Sequence, residues 1–301
     1  MLQKNVNYIK ANWVLYLLIL PTTALLIVFN YVPMFGIIIS FKDYRPLLGF
    51  AGSSWVGLRW FERIFTDANF LRVIRNTVSI AVGKIVVGTF VSLAFALLLN
   101  EVRHHFFKRT VQTLVYFPHF LSWVITAGLL IDLLAIRGLV NNVLAPIIGR
   151  RIFFLGDNSV FQWTMILSDV WKSYGWGAIL YIAAIQAIDP VLYESALIDG
   201  ANRWQQLLHV TIPGIMSTVI LLACLNLGNV LNAGFEQILM LYNPAVYETG
   251  DILDTLLYRV GLFDNNFSLS TAISLVKSVV GFFLITASWW LAKKYANYHI
   301  I

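Results

Sequence analysis

Charge is scarce in this chain. Asp, Glu, Lys and Arg make up 12% of its 301 residues, about half the share of an ordinary soluble domain. With 59% hydrophobic residues and a mean hydropathy of +0.75, the apolar surface exceeds what one soluble core could hide, which excludes the soluble globular class. Cysteine is nearly missing too. The one residue, Cys224, lies in an apolar stretch, so an intrachain disulfide is excluded, no redox compartment follows from it, and no metal site is supported. No Gly/Ser-rich or Pro-rich linker and no internal repeat divides the sequence, so a single domain over 1–301 is the simplest organisation. His-Glu-x-x-His, Gly-x-Ser-x-Gly and Gly-x-x-x-x-Gly-Lys-Ser/Thr are all absent, which removes support for a membrane enzyme acting on lipid-linked sugars or peptides. The pair Gly83-Lys84 lacks the earlier Gly and the following hydroxyl of a phosphate loop, and no feature points to nucleic acid.

What is present is a series of long apolar runs: Trp13–Ile39, Val78–Leu99, Val111–Leu134, Phe161–Ile185, Thr211–Leu241 and Thr271–Ala292. Each is long enough to cross a hydrocarbon core about 30 Å thick. Lipid offers no partners for backbone amides, and these runs do not alternate as barrel strands do, so the expected fold is all-α, a polytopic six-transmembrane-helix bundle. Lys4 and Lys10 precede the first run, which is read as a retained span because it is too long for a leader and lacks a small-residue cleavage site.

Six spans put both termini on one side, with Lys4, Lys10, Arg103, Lys108, Arg109, Arg203, Lys293 and Lys294. The other side carries ten basic residues: Lys42, Arg45, Arg59, Arg63, Arg72, Arg75, Arg137, Arg150, Arg151 and Arg259. Counting alone favours that second face as cytoplasmic. Several of the ten interleave with Trp55, Trp60, Phe61, Phe65 and Phe70, the pattern of a helix lying in the membrane interface. Orientation is therefore assigned from a different segment.

That segment is a polar insert at about 189–210, between two apolar runs. Asp189-Pro190 is suited to capping and starting a short helix. Gly200 is suited to ending it in a left-handed backbone and letting another chain approach closely. Ala196 and Ala201 keep such a contact shallow, and Pro213 sits near the start of the next helix. Taken singly, Asp-Pro and Asp-Gly are ordinary loop chemistry. Together, Glu194-Ser195-Ala196, Asp199-Gly200-Ala201, Arg203-Trp204 and the later Pro213 resemble the Glu-Ala-Ala loop of binding-protein-dependent ABC importer permeases, with Ser195 where the first Ala is expected. Ser40 to Tyr44, Trp55 to Leu58, Phe107 to Arg109, Tyr116 to Trp123, Asp169 to Lys172 and Gly234 to Gln237 resemble the branch importing complex oligosaccharides, and within it one permease half of alginate and pectin-fragment importers.

The resemblance implies a non-catalytic permease of the bacterial cytoplasmic membrane with both termini cytoplasmic and the loop seated in an ATPase. It implies a homologous second permease, two nucleotide-binding subunits that carry ATP and Mg, and an extracytoplasmic sugar-binding protein. No cofactor is expected in this chain itself.

Charges inside apolar runs need an explanation. Asp169 and Lys172 share a helix face, so they either pair along it or face water in a passage. Lys84 and Lys277 are read as snorkelling to the interface. Asn226, Asn229, Asn232 and Glu236 recur at spacings of three, three and four, one stripe of a helix that either binds neighbouring helices or lines a passage. Trp171, Tyr174 and Trp176 beside Asp169 supply ring faces for sugars. Tyr116, His119, Ser122 and Trp123 offer similar chemistry, although aromatic residues near span ends often serve as anchors and His119 fits helix packing better than catalysis. Three intramembrane lysines against two acids lean toward an acidic, uronate-containing oligosaccharide. The alternative function is an ion-coupled sugar transporter or channel working without an ATPase, with Asp169 and Glu236 as proton or cation sites.

Overall fold

The computed structural model describes residues 11–228 and 230–295, so Lys4, Lys10 and Asn229 lie outside the described residues. Helix dominates. Among the described residues five helices are long and apolar enough to cross a membrane, and a sixth span results if a helix pair bent by 66° counts as one. The polytopic all-α expectation holds, and the β structure described is one antiparallel pair, β1 (Lys42–Asp43) with β2 (Ser54–Trp55).

The chain divides into two compact units. The first comprises 1–66 and 257–276. Its α1, Trp13–Phe41, is apolar all round, as a lipid-facing span must be. α1 widens to a π-turn at Ile27–Tyr31, immediately before Val32-Pro33. A proline has no N–H to give to the regular ladder, and the wider turn absorbs that loss. After α1, Lys42 pairs with Trp55 and Asp43 with Ser54, while Phe41 stacks on Trp55 at 5.8 Å. Then α2 (Arg59–Thr66) turns Trp60 and Ile64 inward and leaves Arg59 and Arg63 exposed, the amphipathic pattern expected of an interfacial helix. Trp60 Nε1 donates to the Lys42 carbonyl at 3.0 Å, tying α2 to the hairpin.

The second unit comprises 67–256 and 277–301. Asp67 caps α3 (Ala68–Glu101) by accepting from Asn69 N at 2.8 Å. α4 (His105–Tyr116) follows, then α5 (Trp123–Leu134), α6 (Leu139–Ile148) and α7 (Asn158–Gln186). The expected third span, Val111–Leu134, is broken at Phe117–Ser122. Pro118 starts a 3-10 turn and Ser122 begins a new helix as its N-cap, and the apolar span instead runs Trp123–Ile148. α3 and α7 lie along one another, with Ala96, Leu99, Ala178, Tyr181 and Ile185 buried together. Small residues let such backbones approach where lipid supplies no hydrophobic drive between helices.

α8 (Pro190–Ile198) is the short helix bent from α7, and α9 spans Arg203–Gly228. The helix that contains Pro213 was expected to begin beside it. It begins at Arg203 instead and passes Pro213 by a π-turn at Leu207–Thr211, the device seen ahead of Pro33. The expected fifth span, Thr211–Leu241, is also not one helix. α9 ends at Gly228 and α10 (Phe235–Leu241) starts afresh after Gly234, whose φ of +92° a side chain would strain. α11, Phe267–Tyr295, completes the chain.

Asn141 on α6 is fully buried. Its amide donates to the Ala135 and Ile152 carbonyls at 3.0 and 2.8 Å and accepts from Ile152 N at 2.8 Å. Asn141→Leu keeps the size but strands these backbone groups, and is expected to cost about 3 kcal/mol; thermal unfolding of detergent-solubilised protein checks it, with Asn142→Leu as an exposed control.

Candidate functional site: an exposed knuckle and an internal cavity

Two regions bring together residues singled out by sequence. The first is the turn between α7 and α9. Asp189 accepts from Val191 N at 3.0 Å, and Pro190 occupies the first helical position. Gly200 closes α8 with φ +78°. Its N–H reaches the Leu197 carbonyl at 3.0 Å and that of Ala201 reaches Ala196 at 2.9 Å, the paired bonds that end a helix through a left-handed residue. Asn202 and Gln205 form a reciprocal cap that starts α9. Tyr193 Oη and Thr211 Oγ1 share a hydrogen bond of 3.0 Å across the turn.

This knuckle projects apolar side chains outward. Leu197 is 62% exposed and Ile198 87%, and Val191, Leu192 and Trp204 are exposed with them. An apolar patch of this kind on a rigid, capped turn is the property of a contact surface. Glu194, Ser195 and Asp199 are exposed around it. Ala196, Asp199, Gly200, Ala201 and Gln205 border a shallow depression of about 300 Å³. Arg203 makes an ion pair of 3.6 Å with Glu101 at the end of α3, both well exposed, so the pair orients more than it stabilises.

The second region is a cavity of about 370 Å³ between α3, α7 and the break after α9; its polar lining includes Lys84, Asp169, Ser173, Tyr174, Asn226 and Asn232. Asp169, Tyr174, Asn226 and Asn232 were expected together, and they are together. The reason is different from the one foreseen. Asn226 belongs to α9 and Asn232 to the non-helical link, so they do not form one helical stripe. Glu236 on α10 is exposed and is not part of this lining.

Lys84 organises the cavity wall. Its ammonium, with the side chain only 10% exposed, pairs with Asp169 at 3.3 Å and donates to the Ala233 carbonyl at 2.7 Å and to Gln237 Oε1. The amide of buried Gln237 in turn donates to Met165 O and Ser168 Oγ, each at 2.8 Å. Gly234 admits this arrangement, since a Cβ there would sit 2.6 Å from the Lys84 nitrogen. Lys84 therefore does not snorkel. Nor does Lys277, which pairs with Asp254 at 2.5 Å.

Asp169 and Lys172 do not pair with each other. Asp169 turns to Lys84, while Lys172 is buried, donates to the His119 carbonyl at 3.0 Å and lies 5.2 Å from the Trp123 ring centre. A carbonyl and a ring face thus serve the Lys172 cation while Asp169 is engaged by Lys84. Trp176 stacks on His119 at 4.7 Å, and Trp171 is 40% exposed; neither lines the cavity. Sequence reading missed Lys84 as a member of the wall and Gln237 as the buried side chain that supports it. The signal available was a lysine midway along an apolar helix, which needs a buried partner whenever the interface is out of reach.

A predominantly helical, several-span protein with an exposed capped knuckle between two spans, and a part-open cavity with polar groups in its wall bordered by those spans and α3, has the features of a membrane transport subunit. The family of binding-protein-dependent transport system inner membrane components matches residues 84–296, and the chain belongs to that family. It is a transport subunit and not an enzyme. It is 44% identical over 284 residues to the polygalacturonan/rhamnogalacturonan transport system permease protein YteP of Bacillus subtilis (strain 168), covering 94% of this chain and 88% of that protein. Protein LplB of the same strain is 40% identical over 287 residues, covering 95% of this chain and 90% of LplB. Among solved structures, one chain of a bacterial ABC transporter involved in the import of the acidic polysaccharide alginate superposes with TM-score 0.89 at 36% identity, covering 97% of this chain and 99% of its own.

Removing one member of a buried ion pair leaves the other uncompensated, whereas removing both is far better tolerated. Lys84→Met alone is expected to destabilise by about 3 kcal/mol, and Lys84→Met/Asp169→Leu by clearly less. A double-mutant cycle on thermal unfolding in detergent checks this; additive losses would show that the pair is not coupled.

Proposed function

We propose that the chain is one permease half of an ATP-driven importer passing an acidic, uronate-containing oligosaccharide from an extracytoplasmic sugar-binding protein into the cytoplasm. The observation that carries this is the knuckle, rigidly capped, apolar and exposed, at the joint between α7 and α9. A surface so built is suited to a partner, and in this family the reading is a nucleotide-binding subunit that carries ATP and Mg. A homologous second permease and a second such ATPase complete the assembly. The knuckle then faces the cytoplasm, and so do both termini.

The cavity is the proposed translocation site. Asp169, Tyr174, Asn226 and Asn232 offer carboxylate, phenol and amides to sugar hydroxyls, a set suited to modest affinity and release. Trp171, Lys172, Trp176 and Glu236 stand as pathway candidates only if another conformation brings them to the passage, and Asn229, outside the described residues, remains a candidate from the sequence alone. The acidic substrate class is supported by relatives: the solved alginate importer includes a complex with an alginate pentasaccharide-bound periplasmic protein, where the matching chain has TM-score 0.88 at 36% identity, and YteP is named for polygalacturonan and rhamnogalacturonan. An ion-coupled carrier would have no use for the knuckle.

Because α7 leads into the knuckle and α9 leads out of it, a closing ATPase pair pulls directly on two walls of the cavity. Coupling requires that ATP and the loaded binding protein favour one conformation by differential affinity. Purification of the solubilised complex is the test. Gly200→Asp and Glu194→Lys are expected to abolish co-purification of the ATPase. Tyr174→Ala and Asn226→Leu are expected to lower sugar-stimulated ATP hydrolysis about tenfold, the scale of one or two lost contacts, with assembly intact. Association and transport retained in both knuckle variants would count against docking there.

A further inference from the structure

A second polar cavity, of about 310 Å³, lies at the opposite ends of the same helices. We propose that it is a receiving site for the carboxylate of a uronate-bearing oligosaccharide, with Arg75 and Arg72 as its cations. This rests on the reading of the chain as an acidic-oligosaccharide permease, and it places a step before the translocation cavity.

Position is given by chain direction. α3 ends at Glu101, which pairs with Arg203 of the knuckle, and α7 ends at Gln186 just ahead of it. Arg72, Arg75 and Ser79 lie in the first turns of α3, and Asn158, Gln162 and Trp163 in the first turns of α7. At 1.5 Å per residue, Arg75 is roughly 40 Å from Glu101 along α3. If the knuckle is cytoplasmic, this cavity opens on the side where a binding protein delivers sugar.

Its chemistry fits one ligand class. The floor is preorganised by amides: Gln162 Nε2 donates to Thr249 O at 2.9 Å and to Asn76 Oδ1 at 3.3 Å, Ser79 Oγ donates to Gln162 Oε1 at 3.0 Å, and Thr249 Oγ1 donates to Asn158 Oδ1 at 2.9 Å. Above it the cations have capacity left. Arg72 gives one nitrogen to Asn69 Oδ1 at 3.0 Å, and Arg75 has no ion pair among the described residues. Guanidinium forks match carboxylates in two-bond geometry. Trp163, 58% exposed at the rim, offers a ring face to a pyranose. Glu248, exposed on the same rim, can accept from sugar hydroxyls, which a hydroxyl-rich ligand carries beside its carboxylate.

The two cavities lie in series. One turn beyond Ser79 and Gln162 stand Gly83 and Ile166, and Ile166, 4% exposed, fills the space that a side chain at Gly83 would take. Lys84 and Asp169 follow on the far side. Ile166 packed on Gly83 thus lies, in sequence along α3 and α7, between the residues of the receiving site and those of the translocation cavity.

The test uses the complete importer with its binding protein in liposomes and compares uptake of trigalacturonate with that of its neutral methyl ester. Arg72→Gln/Arg75→Gln is expected to raise the half-saturating concentration for trigalacturonate about tenfold, the scale of losing charge-assisted bonds, and to change that for the ester less than twofold. Arg75→Lys, which keeps the charge but not the fork, is expected to fall between. Equal losses for both sugars would indicate docking of the binding protein and overturn the proposal, as would no loss for either. A loss that disappears when anionic lipid is replaced by phosphatidylcholine would assign the arginines to headgroups and overturn it too. Wild-type importer that takes up the ester but not trigalacturonate would defeat the acidic-substrate reading itself, and the receiving site with it. That outcome is distinct from the others because it appears before any variant is made.

Discussion

Lys84 carries a full charge midway along the 34-residue α3, and lipid forbids leaving that charge unpaired. Much of the second unit's interior follows from meeting the constraint. A carboxylate must come from α7, which fixes Asp169 toward α3. A carbonyl must come from the chain beyond α9, which places the Ala233–Gly234 link against α3 and requires that position 234 lack a side chain. Gln237 must turn its oxygen to the ammonium, so its amide nitrogen is left to tie Met165 and Ser168 of α7. One cation thus draws three segments to one point, and the cavity is the space they enclose on its polar side.

The same constraint explains why α9 and α10 are separate. A continuous helix from Thr211 to Leu241 would keep the Ala233 carbonyl within its own hydrogen-bond ladder. Breaking the helix frees that carbonyl for Lys84, and irregular backbone at such depth is tolerated where it is buried in protein or lines a cavity. The Pro213 turn is a milder case. There the chain keeps its direction and only widens, so α9 still runs from the knuckle to Gly228 at the cavity. A rigid element joining two sites is what transmission of force needs.

Local chemistry was legible in the sequence, and pairing between distant segments was not. The apolar runs, the Asp189-Pro190 start and the Gly200 stop are properties of a few neighbouring residues, and the structure has them. Periodicity failed at Asn226, Asn232 and Glu236 because it presumes the helix whose phase it measures, and the glycines at 228 and 234 were the local warnings. Asp169 and Lys172 satisfied the helical spacing for an ion pair, yet each had a better partner on another helix. Spacing along one helix states which pairs are possible and is silent on competitors. Pro118 was visible as a breaker, but the apolar residues on both sides masked it in the hydropathy.

A packing contact and an ion pair between α3 and α7 are mechanically linked. Ile166 lies one turn before Asp169 on α7, and Gly83 adjoins Lys84 on α3, so the close packing of Ile166 on Gly83 and the Lys84–Asp169 ion pair share the same two turns. A change in the angle between α3 and α7 cannot open the first without loading the second. Side-chain packing of this closeness yields in steps and not by continuous stretch, which makes the pair of contacts a natural two-state element. The Arg203–Glu101 pair joins the end of α3 to the start of α9, beside the knuckle that α7 leads into. On the proposed docking of an ATPase at the knuckle, a small rotation imposed there would be carried along α7 to this pair of contacts.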